Sequence, residues 1–349
     1  MSDIEAPVAK PGTRSRLRDP RVWFALVVTV FAVWLTLRGV DLETLAGEFR
    51  RAHWGVLLAL SIPAHVGGVW LRALRWGHLT DSIQTIPRAL LFRATAIGFM
   101  GNNLFPLRLG ELLRVWALSR DSGAAPAAVL GSVVLERVID TLCVLGMAVG
   151  VILVWGGPSE AWGRTVVGLA PIALLPLLAL GALRAAPDRT LGLLEWLLRP
   201  APRRPADWLL TQLRGFAAGL GGLRGGVHLV WIAVHSVGIW VVAAPLPILA
   251  ACWALGVDFG SLVRTLAAGW STIAALGIAV ALPSAPGFFG LYHSACRLVL
   301  EQFGVPAETA VAIGTLAHAV FWLTLTPLGV VLLRRTHTGI AESLERAAR

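Results

Sequence analysis

Long apolar stretches separated by short polar segments make up most of the 349-residue chain. A stretch of about 20 mostly apolar residues forms a helix long enough to cross the ~30 Å of hydrocarbon in a bilayer. Windows of about 19 residues give six predicted full spans, near residues 22–38, 54–72, 126–155, 163–184, 228–254 and 306–333. The pattern therefore predicts an all-α polytopic membrane protein.

Two further apolar segments, 88–105 and 261–282, each run into an interruption that contains proline and glycine. We expect each to form a re-entrant hairpin, and the two hairpins to enter the membrane from opposite sides. Pro106 and Pro286 lie 180 residues apart, in the two halves of the chain. Paired interruptions of this kind are typical of inverted repeats with a binding site near the midplane. The repeat is a hypothesis from topology alone, because the halves share no convincing similarity of sequence.

Basic residues are distributed unequally over the predicted loops. Twenty-three of them lie on the side of the N-terminus and six on the other side. Cytoplasmic loops carry the excess of Lys and Arg, so we expect both termini to be cytoplasmic and the protein to lie in the cell (cytoplasmic or inner) membrane. The predicted organisation is one transmembrane domain at 22–334, with a basic cytoplasmic tail before it at 1–21 and a cytoplasmic tail after it at 335–349. Within this domain, a cytoplasmic Arg-rich linker at 185–227 joins the halves 22–184 and 228–334.

The composition agrees with a membrane location and argues against a soluble globular protein and against a nucleic-acid-binding protein. Charged residues make up 14% of the chain and the mean hydropathy is +0.72, whereas soluble domains carry roughly 25% charged residues. A net charge of +10 does not predict a nucleic-acid partner, because the arginines lie between apolar spans and not on one soluble face. Cys143, Cys252 and Cys296 lack the paired spacing of zinc or redox sites. We expect no cofactor and no metal.

The stretch "GNNLFPLRLGELLRVWALSR" (101–120) places charge where hydrocarbon is expected. Arg108, Glu111 and Arg114 follow at i, i+3 spacing and would share one face of a helix that begins near Pro106. Free amides at such a helix start attract anions, while Asn102 and Asn103 could satisfy exposed backbone groups. The predicted anion site in this stretch comprises Asn103, Pro106, Arg108, Gly110, Glu111 and Arg114. The alternative is that the arginine and glutamate only pair to pin the hairpin.

Two more polar motifs fall in apolar surroundings. In "LERVID", Glu136, Arg137 and Asp140 form a predicted buried network that either fixes helix packing or lines the site. In "ALPSAPGFFGLYHSACRLVL" (281–300), Pro286, Gly287 and Gly290 allow a tight turn, and Tyr292 and His293 add polar groups. Two histidines, His293 and the weaker candidate His318, could titrate or bind a phosphate, although a lone histidine in a span is more often a packing residue.

The order "NNLFPLRLGELLR", "ERVID" and "PSAPGFFG", with "LRALRW" at the end of the second span, resembles the lysylphosphatidylglycerol synthase transmembrane, or flippase-like, domain family. The resemblance covers nearly the whole chain. It implies an integral membrane domain that moves phospholipids or related lipids between leaflets. In the multiple peptide resistance factors this domain is fused to a soluble transferase that aminoacylates phosphatidylglycerol. Many relatives carry a glutamate where this chain has His293, so proton or headgroup chemistry there is expected to differ.

These observations predict a flippase-like protein that moves an anionic phospholipid or a polyisoprenoid-linked lipid. The hairpins would meet near the midplane, Arg108 and Arg114 would receive a phosphate, and Glu111 would hold Arg108 in place or exchange with it. No nucleotide-binding loop of the G-x-x-x-x-G-K-[ST] type occurs, so transport would not use ATP directly.

Two alternatives remain open, an intramembrane lipid-modifying transferase and a non-catalytic accessory subunit. No G-x-S-x-G or H-E-x-x-H motif supports the enzyme. The chain ends about 16 residues after its last predicted span, so we expect no aminoacyl-transferase activity. The expected partners are an anionic membrane lipid and either further copies of the chain or a separate lipid-modifying enzyme.

Overall fold

The computed structural model describes residues 20–81, 83–105, 108–155, 185–200, 226–280 and 285–347, with isolated residues between 178 and 214. The described residues form α-helices and no strands, which confirms the all-α polytopic class. In the first half the helices are α1 (Pro20–Leu37), α2 (Leu42–Arg51), α3 (Trp54–Thr80), α4 (Arg88–Leu104), α5 (Gly110–Ser122) and α6 (Pro126–Trp155). They continue with α7 (Pro187–Leu197), α8 (Gly226–Val237), α9 (Leu246–Ala254), α10 (Leu262–Ala279), α11 (Leu291–Gln302) and α12 (Ala307–Ala347).

Four helical stretches in the described part of the chain are long and apolar enough to cross a membrane. They are Trp54–Thr80, Val227–Ala254, Leu262–Ala279 and Ala307–Arg335. Helix α6 matches the predicted bounds 126–155 but carries the charges of the "LERVID" motif. The predicted span 163–184 lies outside the described residues apart from a few isolated positions. Helix α3 continues eight residues beyond the predicted end at residue 72, because Arg75 is fully buried against other helices and does not mark an interface.

The outer faces of the helices are strongly apolar. Phe24, Val27 and Phe31 on α1 are each more than half exposed, as is Val227 on α8. Leu153 on α6 is 79% exposed. A soluble monomer rarely exposes contiguous apolar patches of this kind, so these faces are the ones that hydrocarbon covers. Helix α2 is different, because it is amphipathic and starts at an exposed cap in which Asp41 accepts a hydrogen bond from the Thr44 amide at 2.7 Å.

The first hairpin consists of α4 and α5, packed closely along glycines. A Cβ atom added at Gly110 would collide with the carbonyl oxygen of Gly98 and with Asn102. Arg93 on α4 also forms an ion pair with Asp121 on α5. Helix α5 begins at Gly110 and not near Pro106 as the spacing predicts, because the chain first turns back and only then fits against α4.

The second hairpin runs from α10 through a 3-10 turn, Pro286–Phe288, into α11. Gly287, Phe288 and Gly290 all have positive φ, at 72°, 60° and 83°. Glycine adopts this left-handed backbone without steric cost, which explains the choice of residue at two of the three positions. The tips of the two hairpins touch, since a Cβ on Gly287 would lie 3.3 Å from the Asn103 carbonyl oxygen of α4.

A π-helical turn, Gly238–Ala243, interrupts the helical stretch between α8 and α9. Such single π turns occur frequently at functional sites, because the extra residue redirects one side chain. Here the turn contains Trp240, whose indole Nε1 donates to Asp140 Oδ1 at 2.9 Å. The turn therefore connects the second half of the bundle to the charged residues of α6.

Candidate functional site

Eight charged side chains from three helices and one turn come together inside the bundle. Among the described residues these are five arginines and three carboxylates. Helix α3 supplies Arg72 and Arg75, the first hairpin supplies Arg108, Glu111 and Arg114, and α6 supplies Glu136, Arg137 and Asp140. The structure thus brings the two predicted motifs together and adds the two arginines of "LRALRW" to them.

Glu136 lies at the centre of the network and is fully buried. Its Oε2 accepts from Arg114 Nη2 at 2.6 Å, and its Oε1 accepts from Arg137 Nη2 at 3.0 Å. The Arg75 guanidinium also lies 3.4 Å from Oε1. Three cations around one carboxylate can compensate the cost of burying it. Because Arg75, Arg114 and Glu136 are enclosed and bonded to one another, this part of the network holds α3, α5 and α6 together.

Asp140 forms a second tight centre, one turn along α6. Its Oδ1 accepts from Arg75 Nη2 at 2.6 Å, and its Oδ2 lies 2.9 Å from Arg137 Nη2. Arg75 is fully buried and donates its other Nη to Ser236 Oγ at 3.2 Å. Asp140 and Arg75 therefore join α3, α6 and α8.

Glu111 is held much more loosely. Its oxygens lie 3.5 Å from Arg137 Nη1, 3.6 Å from Arg114 Nη1 and 3.9 Å from Arg108 Nη2. Charge-assisted hydrogen bonds are usually shorter, near 2.7–2.9 Å. The Glu111 side chain is 20% exposed and the Arg108 side chain 35%. Arg108 also has a φ of 56°, which is uncommon for a residue other than glycine and places its guanidinium in the turn before α5.

Arg72 has no carboxylate within ion-pair distance in the part of the chain that the structure describes. Its guanidinium carbon lies 5.6 Å from the ring centre of Phe99 and 5.3 Å from that of Trp240. Both distances are within the range of a cation–π interaction. With Arg72 included, five cations face three anions, so the group carries two positive charges that none of its own carboxylates neutralises.

A cavity of about 180 Å³ lies beside the loosely held part of the network. Its charged and amide side chains are Arg72, Asn102, Arg108, Glu111, Arg114 and Arg137. A second cavity, of about 190 Å³, has mostly apolar walls together with Arg72 and His65, and a third, of about 410 Å³, has mostly apolar walls. Trp240 lines all three cavities. The arrangement places a cationic chamber next to apolar space, with one tryptophan shared between them.

The remaining predicted residues of the first hairpin have different positions. Asn102 lines the cationic cavity, whereas Asn103 donates from Nδ2 to Thr326 Oγ1 at 2.9 Å and fixes α4 to α12. Asn103 thus bonds a side chain and not the exposed backbone for which it was expected. Gly110 provides the close approach of α4 and α5. Pro106 lies outside the described residues.

In the second hairpin, Phe288 and Tyr292 line the cationic cavity. Pro286, Gly287 and Gly290 shape the turn. His293 and His318 pack as rings beside Tyr292, with His318 stacked on it at 4.5 Å between ring centres. Neither histidine is among the residues that line the cationic cavity, so the structure places them behind the tyrosine.

Sequence reasoning missed Arg72, Arg75 and Trp240 as members of the site. The count of basic residues that predicts the orientation includes Arg72 and Arg75, although their i, i+3 spacing on an apolar helix is visible in the sequence. The count also includes Arg108 and Arg114. Removing these four from the twenty-three leaves nineteen basic residues against six, so the predicted orientation is unchanged. No sequence signal marked the π turn that positions Trp240.

Comparisons with known proteins agree with these observations. The Glycosyltransferase AglD of Haloferax volcanii is 24% identical over 355 aligned positions, which cover 93% of this chain and 55% of that protein. The chain thus spans about half the length of this curated relative. No solved structure matches the chain. A family described as "Lysylphosphatidylglycerol synthase TM region" matches residues 22–329. This match includes both hairpins and all eight residues of the charged network, and the chain is a multi-pass membrane protein that belongs to the lysylphosphatidylglycerol synthase TM region family.

Proposed function

We propose that the protein binds an anionic lipid through its headgroup phosphate and moves it between leaflets without using ATP. The observation that carries this proposal is the excess of two positive charges at a cavity that adjoins apolar space. The substrate class is a phospholipid or a polyisoprenoid-linked lipid. Translocation by this chain is an inference from its site and is supported by the family to which it belongs.

Arg72 and Arg108 are the groups that receive the phosphate. A guanidinium offers paired N–H donors that match two phosphate oxygens. Among the described residues, Arg72 contacts two aromatic rings and no carboxylate, and Arg108 is 3.9 Å from its nearest carboxylate oxygen. Neither has a close anionic partner that a phosphate must first displace. Arg114 contributes less than the sequence predicts, because its guanidinium is bonded to Glu136 at 2.6 Å.

The apolar cavities explain why the ligand is a lipid and not a free anion. Both adjoin the cationic chamber through Trp240. Ligand pockets of about 300–1,000 Å³ bury most of a small molecule, and the larger of these two cavities, at about 410 Å³, falls in that range. A molecule with a phosphate at one end and hydrocarbon at the other satisfies both linings at once.

Glu111 provides a release step. When no lipid is bound, its carboxylate balances part of the charge on Arg108, Arg114 and Arg137. When phosphate enters, it takes the place of this loose partner, and the glutamate recovers its contacts as the lipid leaves. Because these contacts of 3.5–3.9 Å are weak, the exchange requires little energy compared with opening the Glu136 centre.

The test uses proteoliposomes that contain a fluorescent phosphatidylglycerol, with a fluorescent polyisoprenyl phosphate in a parallel set. Wild type should speed exchange between leaflets, and Arg72→Gln should slow it roughly tenfold or more, since a hydrogen bond to a charged group contributes about 1.5–3 kcal/mol. Arg120→Gln is the matched control, because Arg120 also stacks on a tryptophan, at 5.2 Å from Trp116, but lies exposed outside the cavity.

Arg72→Gln should cost little thermal stability, because Arg72 forms no ion pair within the described part of the chain and loses only its contacts with the rings of Phe99 and Trp240. The proposal is wrong if wild type moves neither lipid faster than empty liposomes do. It is also wrong if folded Arg72→Gln moves lipid as fast as Arg120→Gln. In that case the arginines serve only to hold the helices together.

A second candidate function is supported by the name of the relative. The relative is named as a glycosyltransferase, which favours a role with a lipid-linked sugar. This chain would either modify the lipid itself or bind it for a separate enzyme. Incubation with a nucleotide sugar and a polyisoprenyl phosphate separates these roles. A glycosylated lipid product that disappears in Arg72→Gln would favour the transferase.

A further inference from the structure

Two histidines and an aspartate meet at the end of α3, outside the charged network. His78 lies in the last turn of α3, Asp81 caps this helix, and His228 lies in the first turn of α8. One ligand atom from each residue lies within 4.8 Å of the others. His78 and His228 are 150 residues apart in the chain. No local spacing in the sequence reveals the cluster, and for this reason the sequence predicts no metal site.

We propose that His78, Asp81 and His228 bind a first-row transition metal ion, most favourably Zn²⁺. The two imidazole Nδ1 atoms are 3.2 Å apart, and each lies 3.9 Å from Asp81 Oδ2. In a tetrahedral zinc site with bonds of about 2.0–2.1 Å, neighbouring ligand atoms are roughly 3.3–3.4 Å apart. The nitrogen atoms already have this separation, and the carboxylate needs to move by only about half an ångström.

The ligand set also fits the chemistry of zinc. Imidazole nitrogen suits zinc, copper, nickel and iron, whereas calcium and magnesium prefer sites made of oxygen. Two histidines and one carboxylate leave a fourth position for water or another small ligand. The structure thus assigns a site for a metal ion of intermediate softness, such as Zn²⁺, at the end of the helix that also carries Arg72 and Arg75.

Arg88 is the competitor for this site. Its Nη2 lies 3.3 Å from Asp81 Oδ2, the oxygen that also faces the histidines. The other oxygen, Asp81 Oδ1, has no hydrogen-bond partner among the residues that the structure describes. The carboxylate can therefore turn, so that one oxygen holds the guanidinium and the other the metal. Without a metal, the two histidines share one proton between their Nδ1 atoms, which is the alternative explanation of their short distance.

A bound metal would join α3 to α8 at one end of the bundle. The same two helices are joined further along by the hydrogen bond from Arg75 to Ser236. His78 follows Arg75 by three residues and Arg72 by six, which is one to two helical turns. The metal would therefore fix the helix on which two of the site's arginines stand. This inference does not depend on the proposed lipid transport.

The experiment measures zinc binding to full-length protein that carries no histidine tag and has been stripped with a chelator. Wild type should take up one equivalent of Zn²⁺ and unfold at a higher temperature with zinc than with Mg²⁺. His228→Ala should lose both effects. His53→Ala is the matched control, because His53 is an exposed histidine at the other end of α3, and it should bind zinc like wild type.

Arg88→Gln distinguishes the metal site from a purely structural cluster. Removing the competing guanidinium should tighten zinc binding several-fold, and Co²⁺ in place of zinc should give the visible absorption of a tetrahedral site. The proposal is overturned if well-folded wild type binds no more zinc than His228→Ala, or if Arg88→Gln weakens binding. Zinc uptake that is lost equally in His53→Ala would also overturn it, since binding would then be non-specific.

Discussion

Glu136→Gln should strongly destabilise the protein, although it changes only a few atoms. The carboxylate is fully buried, and three guanidiniums lie within 3.4 Å of its oxygens. Glutamine keeps the shape but removes the charge, so the group of eight residues goes from two excess positive charges to three. Its amide nitrogen also faces guanidinium N–H groups, which cannot accept a hydrogen bond.

The magnitude follows from the arrangement of charges. Two unit charges about 4 Å apart attract by roughly 4 kcal/mol at an effective dielectric of 20. Relief of desolvation offsets part of the loss of three such attractions. Removing one partner of a buried ion pair costs about 3–5 kcal/mol in measured cases. For a protein of this size, that loss lowers the unfolding temperature by on the order of 10 °C.

The measurement is thermal unfolding in detergent at one fixed scan rate, followed by the fluorescence of the 15 tryptophans. Glu43→Gln is the control, because Glu43 is exposed on α2 and should lower the unfolding temperature little. Arg114→Met combined with Glu136→Gln should lose less stability than the sum of the single changes, since the two residues form one pair. An unfolding temperature of Glu136→Gln within about 2 °C of the Glu43→Gln value would refute this reasoning, because it would show that the pairs contribute almost nothing.

Two further predictions concern packing and orientation. Gly110→Ala should destabilise the protein by about 1–3 kcal/mol, the usual cost of overpacking. Gly150→Ala should not, because a Cβ there meets nothing within 4 Å, and equal unfolding temperatures of the two variants would contradict the close contact at Gly110. In a background without native cysteines, an impermeant thiol reagent applied to whole cells should label Glu43→Cys but not Glu195→Cys, and the reverse pattern would invert the predicted topology.

The helices could be predicted well from the sequence, because a segment that crosses a bilayer must be apolar over a fixed length. An apolar run of fixed length has few structural alternatives in hydrocarbon, and the predicted bounds 126–155 of α6 match the structure. The two interruptions were equally visible, since proline and glycine break helices by known backbone effects. Helix α2 escaped prediction because it is short and mixed in polarity, and no membrane rule requires it.

The membership of the site was harder to predict, because contacts between distant helices have no local signature. Asp140 and Trp240 are 100 residues apart, and Arg75 and Asp140 are 65 apart. An arginine near the end of an apolar run looks the same whether it faces a cytoplasmic interface or a buried carboxylate. Only the packing of α3 against α6 distinguishes these environments, and this packing depends on the whole bundle.

The two roles that the sequence left open, structural pin and binding site, are supported at different residues. If the arginines served only to fix the hairpins, their number should match that of the carboxylates, because an uncompensated charge in a membrane interior is costly. Around Glu136 and Asp140 the pairs are short and enclosed, as a pin requires. Among the described residues, Arg72 has no carboxylate within ion-pair distance and Arg108 has only the distant Glu111, at 3.9 Å, and both arginines line a cavity. A positive charge kept there at a cost to stability is best explained if its anion arrives with the ligand, and the lipid proposed above would place its hydrocarbon in the apolar cavities beside Trp240.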